Sequence, residues 1–479
     1  MNILKVAHYQ LYLLQLESYE VGRFLKLLWK KGAWPKGHQR KQLVWTGKAL
    51  LLFFVSELLA AVIAGILAWR VYGAILENVA ASAIVFFAAF AIFQFVFFIF
   101  LPVGLLIVAP FDFAAKFIVV SRAKSKLANI PSLKIIGIAG SYGKTTMKEV
   151  LKSVLSTKFR VLSTPESVNT PIGIARWILK NVDASVEILI VEMGEHYKGD
   201  IEQLCQLTPP DISVVTGINQ AHLERMKNMD TIVETIFEII SGTKAGGLVV
   251  LNGNDARVMG HYKEFIWPDH KIEKYAIEDF SNNAFHPETL QWQGHLAGAG
   301  ELKINLLARY ALGVVSAAVK ISKSLGLSLE EIKKGVESIR PVEHRLQPMR
   351  SGGDVLVIDD SYNGNPDGVR EAIEALSFFT QRRKVFITPG LVETGKEFKE
   401  IHLEIGRQLA GVANVVILIK NSVTGWIEQG VNEGMTSHKN NRVEIVWFET
   451  TQEAHAALKD ILKPNDVILF QNDWGDQYI

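Results

Sequence analysis

Hydrophobic residues are concentrated in two long runs near the start of the chain. Glu57 is the only charged residue in Ala49–Trp69, and residues 79–108 include no charged side chain. A helix of about 20 apolar residues is long enough to cross the hydrocarbon core of a bilayer. The runs therefore predict two transmembrane helices. The second is expected to extend to about Leu101 and to have a kinked or interfacial continuation, because Pro102 and Pro110 interrupt the run. A third, short span is left open.

Two features of this region have alternative interpretations. The segment 4–29 has the pattern of an amphipathic helix, for which we predict a position on the membrane surface. Glu57 lies inside an apolar run, where a carboxylate is costly and often functional. It is equally compatible with a structural contact to the second helix.

From Ile130 onward the pattern changes to short β-branched runs that alternate with helical stretches. Such continuous apolar runs are typical of parallel strands buried on both faces. The predicted strands lie at 133–140, 187–194, 211–218, 246–252, 354–360, 384–390, 414–420, 443–448 and 466–470. This pattern predicts an α/β fold in two lobes, with the joint at Pro341–Arg345.

Composition narrows the class of protein. With 49% hydrophobic and 21% charged residues, the 479-residue chain is not disordered. Cys205 is the only cysteine, which excludes an internal disulfide and a cysteine metal cluster. The net charge of the whole chain is +2. Residues 1–130 carry +9, so the remaining residues carry −7. A basic N-terminal region followed by an acidic remainder favours binding to an anionic membrane surface and argues against nucleic acid as a partner.

The clearest chemical signal is the string GSYGKTT at 140–146, between a predicted strand and a predicted helix. Backbone N–H groups of such a loop surround phosphate oxygens, a lysine neutralises the β/γ phosphates, and a hydroxyl reaches Mg²⁺. Ile138 stands where the strict phosphate-loop pattern has glycine. The candidate phosphate-binding residues are Gly140, Ser141, Gly143, Lys144, Thr145 and Thr146.

Five strings, in order along the chain, resemble the Mur ligase family. They are GIAGSYGKTTMKEV (137–150), EMG with GDI (192–194 and 199–201), INQAHLE (218–224), LNGND (251–255) and DDSYNGNP (359–366). The last string is most similar to the branch that adds D-alanyl-D-alanine. The resemblance implies an ATP-dependent ligase that phosphorylates a carboxylate, which an amine then attacks to give an amide, ADP and phosphate. It implies ATP and Mg²⁺ as cofactors, and a cell-wall precursor with an amino acid or dipeptide as substrates.

The resemblance also implies roles for single residues. Lys144 would neutralise the transferring phosphoryl group, Thr145 and Glu192 would hold Mg²⁺, and His222 would serve a second metal. Without the resemblance, His222 would be an ordinary capping or core histidine. Further nucleotide contacts are expected at Asn252, Arg345 and Asp360. Candidate substrate contacts are Asn169, Tyr362, Asn363 and Asn365, although Asn169 is equally compatible with a simple turn.

The chain departs from the family at several places. A lysine that many members carbamylate for the second metal is replaced by Ile236, and Glu234 or Glu238 is the candidate substitute. Residues 308–314 lack the family's histidine and asparagine, and 471–474 lack its cations. Membrane helices are expected in place of the UDP-binding domain. An alternative function is therefore a catalytically degenerate, nucleotide-binding scaffold of wall synthesis.

The expected organisation has three parts. Residues 1–130 are predicted to be a membrane anchor with two transmembrane helices and the option of a third. Residues 131–343 are expected to form a central ATP-binding domain with a parallel sheet, and residues 344–479 a Rossmann-like C-terminal domain. The flanking lysines and arginines place both ends in the cytoplasm. The prediction is a multi-pass protein of the bacterial inner membrane, with membrane lipids among its partners.

Overall fold

The computed structural model describes residues 3–35, 43–74, 78–195, 197–220, 226–350, 354–362, 364–392, 394–437 and 442–472. By internal contacts the chain divides into two compact units between Val119 and Val120. Each unit is considered by itself.

The first unit is helical. Its helices are α1 (Ile3–Leu16), α2 (Val21–Lys31), α3 (Gly47–Ala74), α4 (Val79–Phe95) and α5 (Phe100–Ala128). The segment predicted as one surface helix is two helices, because Ser18 and Tyr19 have positive φ values of 54° and 67°. Leu11 and Leu14 of α1 are fully buried, so this helix contributes to a core.

The second apolar run differs from the prediction. The helix is interrupted at residues 96–99, and α5 then continues through Pro102 and Pro110. Pro102 lies in the first turn of α5, where its missing N–H costs no helical hydrogen bond. The buried Gln10 stabilises the interruption, because its side chain donates to Phe95 O at 2.9 Å and accepts from Phe98 N at 2.6 Å.

Glu57 has a structural partner in the neighbouring helix. Its Oε2 accepts a hydrogen bond from Gln94 Nε2 of α4 at 2.8 Å. Of the two interpretations left open by the sequence, this contact favours the structural one.

The second unit begins with a six-stranded parallel sheet. Its strands are β1 (Lys134–Ala139), β2 (Val161–Ser163), β3 (Ile188–Glu192), β4 (Ile212–Val215), β5 (Leu248–Asn252) and β6 (Lys271–Tyr275), in the order β2-β3-β1-β4-β5-β6. The strand β1 lies between β3 and β4, where the winding direction changes. In open α/β sheets, ligands bind outside the carboxyl ends of strands at such a point.

Helices cover this sheet, and a small antiparallel sheet follows it. The helices are α6 (Lys144–Leu155), α7 (Pro171–Asn181), α8 (Asp200–Leu207), α9 (Met229–Ser241), α10 (Ala256–His261), α11 (Ala311–Ser324) and α12 (Leu329–Glu337). The antiparallel strands are β7 (Phe280–His286), β8 (Gln291–Leu296) and β9 (Gly300–Ile304). Fully buried Ile136, Leu151 and Val315 join β1, α6 and α11 in one core.

A second six-stranded sheet occupies the C-terminal part. Its strands are β10 (Gln347–Arg350), β11 (Leu356–Asp360), β12 (Arg383–Thr388), β13 (Val415–Ile419), β14 (Glu444–Phe448) and β15 (Asp466–Gln471), in the order β10-β11-β15-β12-β13-β14. Only β10 is antiparallel to its neighbour. The accompanying helices are α13 (Pro366–Ser377), α14 (Phe398–Val412), α15 (Thr424–Ser437) and α16 (Thr451–Ile461).

The α/β fold with a parallel central sheet is confirmed, and all nine predicted strands are present. The prediction omitted β2, β6, β10 and the antiparallel sheet. These strands are short or carry many polar residues, as in β7 with sequence FSNNAFH, so their hydrophobic signal is weak.

Candidate active site

The loop between β1 and α6 brings its backbone close to the space where a ligand would lie. Gly140 and Gly143 have φ values of 144° and 78°, which favour glycine. A Cβ atom at Gly140 would also collide with Thr216 Oγ1. Gly143 begins α6 without a side-chain cap, so the first N–H groups of the helix are available to phosphate oxygens. Ser141 N donates to Gly217 O at 2.7 Å and fixes the loop against the segment after β4.

Lys144 forms a buried ion pair beside this loop. Its Nζ lies 3.0 and 3.2 Å from the two carboxylate oxygens of Glu195 and also donates to Gly140 O. The side chains of Lys144 and Glu195 are only 13% and 3% exposed. An ammonium group has three hydrogens, so all of them have acceptors within the protein.

Glu192, Thr145 and Lys148 form a second buried cluster. Thr145 Oγ1 lies 3.2 Å from both carboxylate oxygens of Glu192. Lys148 Nζ lies 3.0 Å from Glu192 Oε2, and its side chain is 1% exposed. Hydroxyl and carboxylate oxygens are the hard donors that Mg²⁺ prefers. The predicted pair of Thr145 and Glu192 therefore comes together in a form that fits Mg²⁺.

Asn252 and Asp255 support the phosphate loop from behind. Asp255 Oδ2 accepts from Tyr142 Oη at 3.2 Å and from Ile218 N at 2.9 Å. Burial raises the pKa of Tyr142, and the charge of Asp255 adds to the shift. Asn252 donates its side-chain amide to Thr216 O. The predicted nucleotide contact Asn252 thus holds neighbouring backbone, and a direct contact to nucleotide stays a prediction.

Asn219 connects the phosphate-loop region to the DDSYNGNP segment. Its Nδ2 donates to Asn365 Oδ1 and to Asp367 Oδ2, both at 2.8 Å. Asn365 Oδ1 also accepts from Gly368 N at 3.0 Å and caps α13. Asn365, predicted to contact substrate, is therefore held in place by hydrogen bonds from both parts of the second unit.

Arg345 and Asp360 lie together at the carboxyl end of β11, and their contact with nucleotide stays a prediction. Arg345 Nη1 donates to Tyr362 O at 2.7 Å, and its guanidinium lies 4.7 Å from the centroid of the Tyr362 ring. Arg345 Nε is buried and has no acceptor among the described residues. Burial raises the pKa of Asp360 to about 7, although the charge of Arg345 opposes the shift.

The remaining predicted contacts have different outcomes. Tyr362 Oη lies 2.8 Å from Ser167 Oγ. Asn169 O accepts from Gly194 N at 3.1 Å, next to the end of β3. His222 and Asn363 lie outside the described residues, so their roles stay predictions.

Both acidic residues suggested as a substitute for the carbamylated lysine have partners in the structure, and their role as a substitute stays a prediction. Both carboxylate oxygens of Glu238 accept backbone hydrogen bonds at the start of α8, from Gly199 N at 2.8 Å and Glu202 N at 2.9 Å. Glu234 Oε2 pairs with Lys198 Nζ at 2.6 Å on the surface. Ile236, between them on α9, is fully buried.

Sequence reasoning missed Lys148 and Glu195. Lys148 follows Lys144 by four residues, so both side chains lie on the same face of α6. Glu195 directly follows the EMG string, where the family pattern has a small residue. The spacing from Lys144 could have indicated Lys148. The buried pairing of Glu195 with Lys144 could be found only from the structure.

The phosphate loop, the Thr145–Glu192 pair and the parallel sheet define an ATP-dependent enzyme. The family description "Mur ligase middle domain" matches residues 138–319, and "Mur ligase, glutamate ligase domain" matches residues 344–471. Together these ranges cover more than half of the sequence. The chain belongs to the Mur ligase family, and it is an ATP-dependent ligase.

Individual relatives agree with this assignment. UDP-N-acetylmuramoyl-tripeptide--D-alanyl-D-alanine ligases from Mycobacterium leprae and Bacillus subtilis are 27% and 25% identical to the chain. Each match covers 71% of this chain, and 71% and 73% of the relatives. The crystal structure of MurF ligase from Thermotoga maritima in complex with ADP is 25% identical with a TM-score of 0.64, covering 75% of this chain and 80% of that one. MurF from Acinetobacter baumannii, at 23% identity and a TM-score of 0.63, covers 76% and 78% and shows the shared fold.

The predicted localisation needs correction. The curated relatives are named for a UDP-linked substrate, which is a charged, water-soluble class of molecule. Two described helical stretches, α3 (Gly47–Ala74) and Phe97–Ala128, which ends with α5, are long and apolar enough to cross a membrane, but length and composition alone are weak evidence of a span. The prediction of a multi-pass protein of the bacterial inner membrane is therefore wrong. Membrane lipids, predicted as partners, have no support among the relatives.

Proposed function

We propose that the protein joins D-alanyl-D-alanine to the peptide of a UDP-N-acetylmuramoyl-tripeptide or a closely related cell-wall precursor. The names of the curated relatives support this substrate pair. The observation that carries the proposal is the contact of Asn219 with Asn365 and Asp367, both at 2.8 Å. This contact connects the phosphate-loop region to the DDSYNGNP segment, the string most similar to the dipeptide-adding branch.

Lys144 and the start of α6 would bind and orient the triphosphate. When bound, Mg²⁺ would neutralise phosphate charge and reduce repulsion between the triphosphate and the substrate carboxylate. Thr145 and Glu192 would hold the ion, and His222 would serve a second one. These roles follow from the 3.2 Å approach of Thr145 Oγ1 to Glu192 and from the family resemblance.

The C-terminal lobe would complete the nucleotide and substrate sites. Arg345 has a buried Nε without an acceptor among the described residues, which is available to an anionic ligand. Asp360 and Asn252 are further proposed nucleotide contacts. The proposed substrate contacts are Asn169, Tyr362, Asn363 and Asn365.

Mass spectrometry of the reaction products tests this function. The full chain is incubated with ATP, Mg²⁺, UDP-N-acetylmuramoyl-tripeptide and D-alanyl-D-alanine. The precursor is expected to gain the mass of one dipeptide unit, with ADP release that requires both substrates. Lys144→Ala is expected to lower kcat by about 10²- to 10³-fold, or about 3 to 4 kcal/mol, because a preorganised charge at the transferring phosphoryl group is lost.

The matched control is Lys152→Ala, on the same helix with a side chain that is 48% exposed. It is expected to keep the wild-type rate. If the precursor gains the mass of a single amino acid, the amine substrate is that amino acid and not the dipeptide. Tight ATP binding without phosphate release across a panel of precursors would instead support the catalytically degenerate scaffold.

A further inference from the structure

The Lys144–Glu195 ion pair lies where a nucleotide phosphate must bind. The ammonium of Lys144 donates to both oxygens of Glu195, at 3.0 and 3.2 Å, and to Gly140 O. A phosphate oxygen can reach this ammonium only by displacing one of these acceptors. The carboxylate of Glu195 and the γ-phosphate would then share one cation.

Burial makes this arrangement electrostatically demanding. The Glu195 side chain is 3% exposed, so little water is available to screen it from a phosphate. Glu192 is in a different position, because it has its own buried cation, the ammonium of Lys148, which lies 3.0 Å from its Oε2. Of the two carboxylates, Glu195 is the one that loses its counter-charge to the ligand.

A divalent cation between the Glu195 carboxylate and the γ-phosphate would neutralise the repulsion between them. Mg²⁺ is typically bound in proteins by one or two carboxylates together with substrate phosphates. We propose that Glu195 is a carboxylate ligand of a Mg²⁺ ion bound at the γ-phosphate of ATP. The inference rests on the proposed function. It also provides a metal-facing carboxylate in a chain whose α9 has the buried Ile236 at the family's lysine position.

Isothermal titration calorimetry with and without Mg²⁺ tests the assignment. The Kd values of a non-hydrolysable ATP analogue and of ADP are measured in Mg²⁺ and in EDTA, for wild type and Glu195→Gln. For each ligand and each protein, the Kd in EDTA divided by the Kd in Mg²⁺ is called the Mg²⁺ gain. For the ATP analogue, the gain is expected to fall at least about tenfold in Glu195→Gln, because an ion ligand is lost. For ADP, which lacks the γ-phosphate, the gain should stay within about twofold of wild type.

In EDTA, Glu195→Gln should bind the ATP analogue more tightly than wild type, because a negative charge next to the phosphate is removed. The matched control is Glu449→Gln, which removes the same charge from a surface Lys–Glu pair whose carboxylate is 67% exposed. It is expected to leave every Kd unchanged. An unchanged Mg²⁺ gain in Glu195→Gln, or equal tightening with and without Mg²⁺, would overturn the proposal and leave Glu195 as a counter-ion of Lys144.

A second measurement needs no variant, in case Glu195→Gln does not fold. Electron paramagnetic resonance counts the Mn²⁺ ions bound to the wild-type protein with the ATP analogue and with ADP. Equal counts overturn the proposal. More Mn²⁺ with the ATP analogue shows an additional ion that depends on the γ-phosphate, and the Kd comparison then tests Glu195 as its ligand. Neither measurement requires an acceptor or a dipeptide, so failure of dipeptide transfer would contradict the proposed function while leaving the Glu195 result interpretable.

Discussion

The two parallel sheets of the second unit carry different chemistry at the carboxyl ends of their strands. After β1 and β3, buried charges form two ion pairs, Lys144 with Glu195 and Lys148 with Glu192. After β12 and β15, neutral groups form the contacts. Asn472 accepts from Gly364 N at 3.0 Å and donates to Gly390 O at 2.6 Å.

His402 illustrates how the region after β12 and β15 of the C-terminal sheet is held without charged groups. Burial lowers its pKa, and its Nε2 accepts from Leu391 N at 2.9 Å, which requires the unprotonated nitrogen. Thr388 Oγ1 donates to Gln471 Oε1 at 2.7 Å nearby. The bonds from Asn472 and His402 hold the backbone of two loops, at Gly364 and at Gly390 and Leu391, without a charged group.

The difference indicates a division of labour. Paired charges at the central sheet can exchange partners when an anion and a cation arrive, and phosphoryl transfer requires this. The neutral network after β12 and β15 holds backbone groups such as Gly364 N in position. Substitutions in the two regions should therefore differ in size and in their dependence on charge.

The largest effect is expected from Lys148→Met. This change leaves the buried carboxylate of Glu192 without its cation, and breaking one side of a buried pair typically costs about 3 kcal/mol or more. The free energy of unfolding, from urea titration in EDTA, should fall by this amount. The double variant Lys148→Met/Glu192→Gln should recover much of the loss, since no unpaired charge remains.

Lys152→Met is the matched control, because Lys152 is on the same helix and its side chain is 48% exposed. Its effect should stay within about 0.5 kcal/mol. Equal decreases in the free energy of unfolding in Lys148→Met and Lys152→Met would show that buried charge pairs do not stabilise the region beside the central sheet.

A smaller effect is expected from Asn472→Ala. The change removes the hydrogen bonds of Asn472 to Gly364 N and Gly390 O, and the loss of a partner for a buried backbone group costs about 1 to 3 kcal/mol. Asn472 has φ of 62°, so backbone strain contributes as well. Asn465→Ala is the control, because Asn465 has φ of 65° and donates to Gln381 O from an exposed side chain. The difference in unfolding free energy between the two variants measures the buried contacts.

Much of the second unit was predictable from its sequence. Continuous apolar runs identified all nine main strands, because a strand buried on both faces has few polar residues. The glycines and Lys144 identified the phosphate loop, since the positive φ values of Gly140 and Gly143 exclude most other residues. The pairing of Thr145 with Glu192 followed from the family resemblance.

Other features depend on contacts between distant residues. No local pattern indicates that Glu195 reaches Lys144, 51 positions earlier, or that Asn219 reaches Asn365, 146 positions later. Such contacts depend on strand order, which periodicity alone does not determine. The interruption of the second apolar run likewise depends on Gln10, 85 positions before Phe95.

The smallest effect concerns His344, at the margin of the C-terminal sheet. Its Nδ1 lies 2.6 Å from Asp359 Oδ2, and the hydrogen bond and charge of Asp359 raise the pKa of His344. A raised pKa adds stability below the unfolded-state value of about 6.5, and this stability is lost as the pH rises through the folded-state pKa. Since the histidine is 51% exposed, the contribution is about 0.5 kcal/mol.

His344→Gln should therefore lower the free energy of unfolding at pH 6 and leave it unchanged at pH 9. The exposed His286→Gln is the control and should have no effect at either pH. A difference that persists at pH 9 would assign the loss to packing and would show that charge pairing does not stabilise this margin.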